Sequence, residues 1–168
     1  MLKKMLSGLG LVLLSLCLSV PPAALASKGD TFENDLLKLI FNATAIANMA
    51  DNAAASPLTN LYVSLHTADP TDGGNQTSSE TGYTGYARVA VARTSGGWTV
   101  TAASVSPVAN IDFGECTASC TGTITHWVVG TASSSTGKVL YSGTITPNIT
   151  LATGVIPRVK STSTITED

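Results

Sequence analysis

From Leu61 onward the apolar residues of this chain recur at every second position, and that period decides the fold class more than any other feature. Leu61, Val63 and Leu65 alternate with Tyr62, Ser64 and His66, and Val89 and Val91 alternate with Ala90 and Ala92 between Arg88 and Arg93. A period of two belongs to a strand with one face on a core and one in water. Gly96 and Gly97 in TSGGWTV separate two such runs and signal a hairpin, because glycine tolerates the positive φ of tight turns, and Trp98 then opens the return strand. Further strands are expected at 109–113, 123–129, 138–142, 145–151 and 155–159, divided by GECTASC, GTASSSTG and a Pro147-Asn148 turn. Short strands at this spacing predict an antiparallel β-sandwich, jelly-roll-like or Ig-like.

One helix precedes the strands. In DTFENDLLKLIFNATAIANMA, residues 30–50, Phe32, Leu36, Ile40, Ala43 and Ala47 recur at helical intervals and Leu37 and Phe41 widen the apolar face. Asp30 is placed to cap it, with Glu33 three residues on as in a capping box. DNAAASPLTN, residues 51–60, is a connector rich in turn formers. Before the helix, Lys3 and Lys4, the apolar run 6–20, Pro21, Pro22 and Ala24-Leu25-Ala26 have the layout of an export signal, with cleavage expected before Ser27. The apolar run is short of the roughly 20 residues that cross a bilayer, so no stable membrane span is expected. Cys17 follows Leu16 rather than a small residue, which argues against a lipoprotein site. The expected organisation is a leader (1–26), a helix with its connector (27–60) and a β-sandwich (61–168).

Only 12% of the 168 residues are charged, so the surface must be covered largely by hydroxyls. The formal charge is −2, and loss of the leader leaves seven bases against eleven acids, or −4. No nucleic-acid partner is expected of such a balance.

The residues that carry chemistry do not form a familiar pattern. His66, Asp69, Asp72 and Glu80 surround a long polar loop, but their spacing lacks the rhythm of a calcium loop, and Asp69 before Pro70 reads as a turn starter. His126 sits on the strand face of Ile124 and Val128, as a packed histidine would. G-x-S-x-G is absent, and GGNQTSSETG lacks the lysine of a phosphate loop. With Cys17 in the leader, Cys116 and Cys120 remain, a pair that permits a disulfide in an exported chain, whereas a metal site needs further ligands and only two histidines exist. Neither catalysis nor a cofactor nor a metal is expected.

FENDLLKLIFNATAIANMADNAAASPLTNLYVSLHTADP, SETGYTGYARVAVARTSGGWTV, TITHWVVGTASSSTGKVLYSGTIT and the late TGVIPRV together resemble a family of small bacteriophage proteins usually labelled tail fibre or virion proteins. The resemblance runs from about Thr31 to the C-terminus, and LYVSLHTADP through GYARVAVAR is its most specific part. It implies a structural component of a virus particle, in the tail or fibre or as a capsid decoration, whose partners are other virion proteins and copies of itself. It implies no catalytic residue. The leader departs from that family, and three explanations compete: a start codon assigned too far upstream, a phage-derived domain recruited for secretion, or an apolar N-terminus used in assembly. The second makes the chain a secreted binding module for a surface ligand such as a glycan. In either setting the loop 67–86 is expected to be an exposed connection, with Tyr83 and Tyr86 as its contact residues. Replacing both by Ala should then spare the fold; loss of folding would place them in the core.

Overall fold

The computed structural model describes residues 30–46, 50 and 57–167; the leader 1–26, residues 51–56 of the connector and the Asp30 side chain lie outside the described residues. The fold is mainly β, with antiparallel sheets in a sandwich-like arrangement and one N-terminal helix.

Helix α1 spans Asp30–Asn42, eight residues short of the expected stretch. Its buried line is Glu33, Leu37 and Phe41, spaced by four, while Leu36 and Ile40 are half-buried. Two devices stop it. Ala43 adopts a positive φ of 54°, which breaks the helical path, and the Arg93 guanidinium donates to the carbonyls of Leu39 and Ile40, which have no partner within a terminating helix. Asn34 ties the other flank by donating to the Ala102 carbonyl at 2.6 Å.

The main sheet has the order β2-β1-β6-β7, from β1 (Asn60–His66), β2 (Val89–Ala92), β6 (Thr123–Gly130) and β7 (Val139–Thr150). A second sheet joins β3 (Trp98–Thr101), β4 (Ser104–Pro107) and β9 (Ile165–Thr166), and β5 (Ile111–Asp112) pairs with β8 (Arg158–Val159). The core lies between these layers. Leu61, Val63, Leu65, Ile124 and Val129 face it from the main sheet, and Phe41 packs edge-on against Trp98 with ring centroids 4.8 Å apart. Burying each such side chain stabilises the fold by about 1.5–3 kcal/mol.

Three expectations need correction. β2 and β3 do not pair: β2 joins β1, β3 joins β4, and the hairpin turn is at Ala102, whose φ is 52°. Gly97 is required there for closeness rather than for positive φ, since a Cβ on it would stand 2.1 Å from the Ala92 carbonyl oxygen. Residues 138–142 and 145–151 are not two strands either, and Pro147-Asn148 is no turn between strands. β7 runs through both, with a bulge in which two steps along β6, from Ile124 to His126, face five along β7, from Ile149 to Thr144. Pro147 is tolerated because β7 is an outer strand, where a missing N–H costs no ladder bond.

Candidate functional site

The loop between β1 and β2 is where the chain concentrates its ionisable and aromatic side chains. Strand β1 points Ser64 and His66 to the same face, two residues apart, and both are fully buried. His66 Nδ1 lies 2.8 Å from the Ser78 carbonyl oxygen, which can only accept, so Nδ1 carries the proton and donates it. Nε2 is left to accept from Ser64 Oγ at 2.9 Å. Hydroxyl, imidazole and carbonyl are therefore ordered as a nucleophile, base and orienting group would be. Burial removes the substrate from that arrangement, because neither Ser64 nor His66 has accessible surface. Burial also lowers the His66 pKa below its usual value, so the imidazole stays neutral and serves as a structural cross-link.

Beside it lies an ion pair. Arg88 Nε and Nη2 each donate to Glu80 at 2.7 Å, and its side chain is 3% exposed against 15% for Glu80. Arg88 Nη1 and Nη2 also donate to the carbonyls of Ala132 and Ser135, both at 2.9 Å. Tyr86 donates its hydroxyl proton to Glu80 at 2.8 Å and accepts the Leu65 amide at 3.1 Å, and burial pushes its phenol pKa up. Gln76, fully buried, accepts the Ala132 N–H through Oε1 at 2.9 Å, while its backbone N–H donates to the Gly137 carbonyl at 3.0 Å. These groups bolt the loop to β1 on one side and to the turn 131–137 on the other.

Tyr83 and Tyr86 both reach inward from the loop. Tyr83 is 4% exposed and donates to the Gly114 carbonyl at 2.9 Å; Tyr86 is half-buried, with its ring stacked on Phe113 at 6.0 Å. They wedge the loop against residues 113–118, where Thr84 and Ala118 form a bridge. Gly85, at φ 102°, lets the two backbones cross, since a Cβ there would stand 2.1 Å from the Glu115 carbonyl oxygen. Cys116 and Cys120 are joined by a disulfide in this same segment, with their Cα atoms 5.7 Å apart.

The remaining candidates fall apart in space or in role. Asp69 accepts the Thr71 amide at 3.0 Å, as a turn starter does. His126 stands opposite His66 across β1 and β6, with Nδ1 2.8 Å from Thr125 Oγ1. No group of three or more potential metal ligands occurs among the described residues. Sequence reasoning missed Gln76 and Arg88. Arg88 carried a signal, an arginine directly before an alternating run; Gln76 carried none. What stays exposed on the loop is its tip, including Thr67, Asp69, Thr71, Asp72, Thr77 and Ser79.

No curated protein matches the chain. A family model matches residues 28–166, which covers α1 and every strand. The chain belongs to the family described as Podophage GP4 fiber I protein gp80.

Proposed function

We propose that this chain is a non-enzymatic structural module of a phage fibre, held in the virion by contacts with other fibre or tail proteins and with copies of itself. The observation that carries the reading is the family match, which takes in the whole described fold rather than one motif. The geometry supports it: the serine, histidine and carboxylate that would be needed for hydrolysis are spent on internal hydrogen bonds. Contacts fall to the hydroxyl-rich loop tip and to the apolar side chains left in water, Leu58, Val108 and Ile156, which are 43%, 48% and 54% exposed. The family description supports a fibre over a capsid decoration.

Mass spectrometry of gradient-purified particles, with immunogold labelling of the same particles, tests this. Peptides from 30–167 at constant stoichiometry and gold on the fibre are the expected result. A chain beginning at Ser27, free in the medium and absent from particles, overturns the proposal in favour of a secreted module.

A further inference from the structure

A cleft of about 420 Å3 lies between two strand edges that belong to different sheets. One wall is β2, the outermost strand of the main sheet; the other is β5 with Ala109 and Asn110 before it, in a sheet whose other strand is β8. The Arg93 amide donates to the Thr59 carbonyl, which fixes the phase of the β1–β2 ladder: Val89 and Val91 exchange their bonds with β1, and Ala90 and Ala92 turn their backbone groups outward. The Phe113 amide donates to the Pro157 carbonyl, so by the same alternation Asp112 turns its N–H and C=O away from β8. Ala90, Ala92 and Asp112 all line the cleft, and of their outward groups the Ala92 carbonyl is taken by the Thr94 amide. Edges of this kind are templates for a further strand.

The walls say what kind of strand fits. The one charged side chain lining the cleft, Asp112, is already paired with Arg158, so an uncharged segment is called for. Val89 and Val91 are half-buried while Ala90 and Ala92 are exposed, so an added strand needs large apolar side chains on one face and small ones on the other. Val108, 48% exposed, stands beside Gly97 through its amide and offers more apolar surface at the cleft. The leader carries such a segment: over residues 14–20, Leu14, Leu16, Leu18 and Val20 alternate with Ser15, Cys17 and Ser19, without a charge. That is the period of a strand, and Val20 is held extended by the proline that follows it. Pro21 and Pro22 make a stiff spacer, which favours reaching a second molecule over folding back. We infer that residues 14–20 of one copy add as a strand to the β2–β5 cleft of a second copy, the leucines on the side of Val89 and Val91, and Ser15, Cys17 and Ser19 on the side of Ala90 and Ala92. Such a contact is head-to-tail and joins copies in series. It rests on the self-contact in the reading above and names the surfaces that make it.

Cys116 and Cys120 are bonded to each other, which leaves Cys17 to report on the segment. Residues paired across neighbouring strands stand about 4.5–5.5 Å apart at Cα, within reach of a disulfide. The full chain, made by cell-free translation so that no leader peptidase acts, carries Ala90→Cys or Ala92→Cys, both exposed positions, and is oxidised with copper; non-reducing gels and peptide mapping locate the new bond. The expected result is a bond from Cys17 of one copy to the introduced cysteine of another, at least tenfold above that to Ser134→Cys on an exposed turn outside the cleft, and at least tenfold reduced by adding Leu16→Asp. A yield equal to the Ser134→Cys control, or untouched by Leu16→Asp, reduces the contact to non-specific clustering of leaders and overturns the inference. A bond within one chain overturns it in favour of the chain's own leader. Intact mass of the chain from purified particles gives the last arm: a start at Ser27 overturns the added strand while leaving the place in the virion, read by gold labelling, intact.

Discussion

Replacing Arg88 by Met should be the most damaging single polar substitution in the described fold. The guanidinium makes four hydrogen bonds, two to Glu80 and two to carbonyls. Methionine keeps much of the stem and its packing, so the loss is electrostatic. The exposed Ser135 carbonyl regains water and costs little, whereas Glu80, at 15% exposure, keeps only the Tyr86 hydroxyl. Breaking a buried pair from one side costs about 3–5 kcal/mol, and partial access of water to Glu80 places this case near about 3. A domain of this size has about 5–15 kcal/mol in reserve, so the variant still folds and can be measured. Glu80→Gln strands the arginine and should cost a similar amount. The double variant leaves no unpaired charge, so it should recover about 2 kcal/mol relative to the sum of the singles. Urea unfolding at pH 7, followed by tryptophan fluorescence, gives all three values. A cost below about 1 kcal/mol for Arg88→Met, or a double variant additive to within about 0.5 kcal/mol, would refute the reasoning that this pair fastens the loop.

Four other substitutions or conditions probe the same architecture. The His66 pKa is depressed in the fold, so below the unfolded value of about 6.5 the unfolded chain takes up the proton first; stability should therefore fall from pH 7 to pH 5 by up to about 1.4 kcal/mol per unit, and His66→Gln should flatten that slope in urea titrations. Tyr83→Ala should cost about 3 kcal/mol or more, and with Tyr86→Ala should abolish cooperative unfolding, read by loss of dispersed amide signals rather than by weakened particle incorporation alone. Arg93→Ala uncaps α1 and should cost about 1–2 kcal/mol, with faster hydrogen exchange confined to the last turn of that helix. Reducing the Cys116–Cys120 bond, which closes a loop with a sequence separation of 4, should lower stability by about 2 kcal/mol in the chain-entropy account, seen as a lower urea midpoint in reductant.

Strand existence was legible from the sequence because alternation is a local signal: β1, β2 and β6 stand where Leu61–Leu65, Val89–Val91 and Ile124–Val128 alternate. Pairing was not, because it is decided at long range. The Gly96-Gly97 turn looks like a hairpin, yet β2 finds its partner in β1, about 30 residues back, and glycine is needed so that Gly97 can pass the Ala92 carbonyl. The helix pattern continues past the end of α1 because periodicity does not register Arg93, 53 and 54 residues beyond the carbonyls it caps. Pro147 reads as a turn locally and is harmless in β7 only because that strand lies at a sheet edge. The depth of Tyr83 is hidden for a related reason: a loop rich in Gly, Thr and Ser reads as solvated, and nothing near Tyr83 in sequence announces the Gly114 carbonyl that receives its hydroxyl.

A chain with so few charges sets two of them as a largely covered ion pair. Glu80 and Arg88 lie under the loop, not on it, while the tip carries mainly threonines and serines. A hydroxyl surface can meet a neighbouring subunit without stripping water from ions, which is the main cost of joining charged faces. Holding that surface in one conformation needs directional groups beneath it, because alternating apolar residues set which face of a strand is buried but not the path of the chain between strands. His66, Gln76, Glu80, Tyr86 and Arg88 supply that direction, each with partners on a different segment. If the loop tip is a fibre contact, the Arg88→Met chain should lose incorporation at temperatures where it is still folded, since the tip loses its scaffold before the core fails. Equal incorporation of folded Arg88→Met and unaltered chain into particles would mean that the loop is pinned for stability alone and that the contact lies elsewhere on the fold.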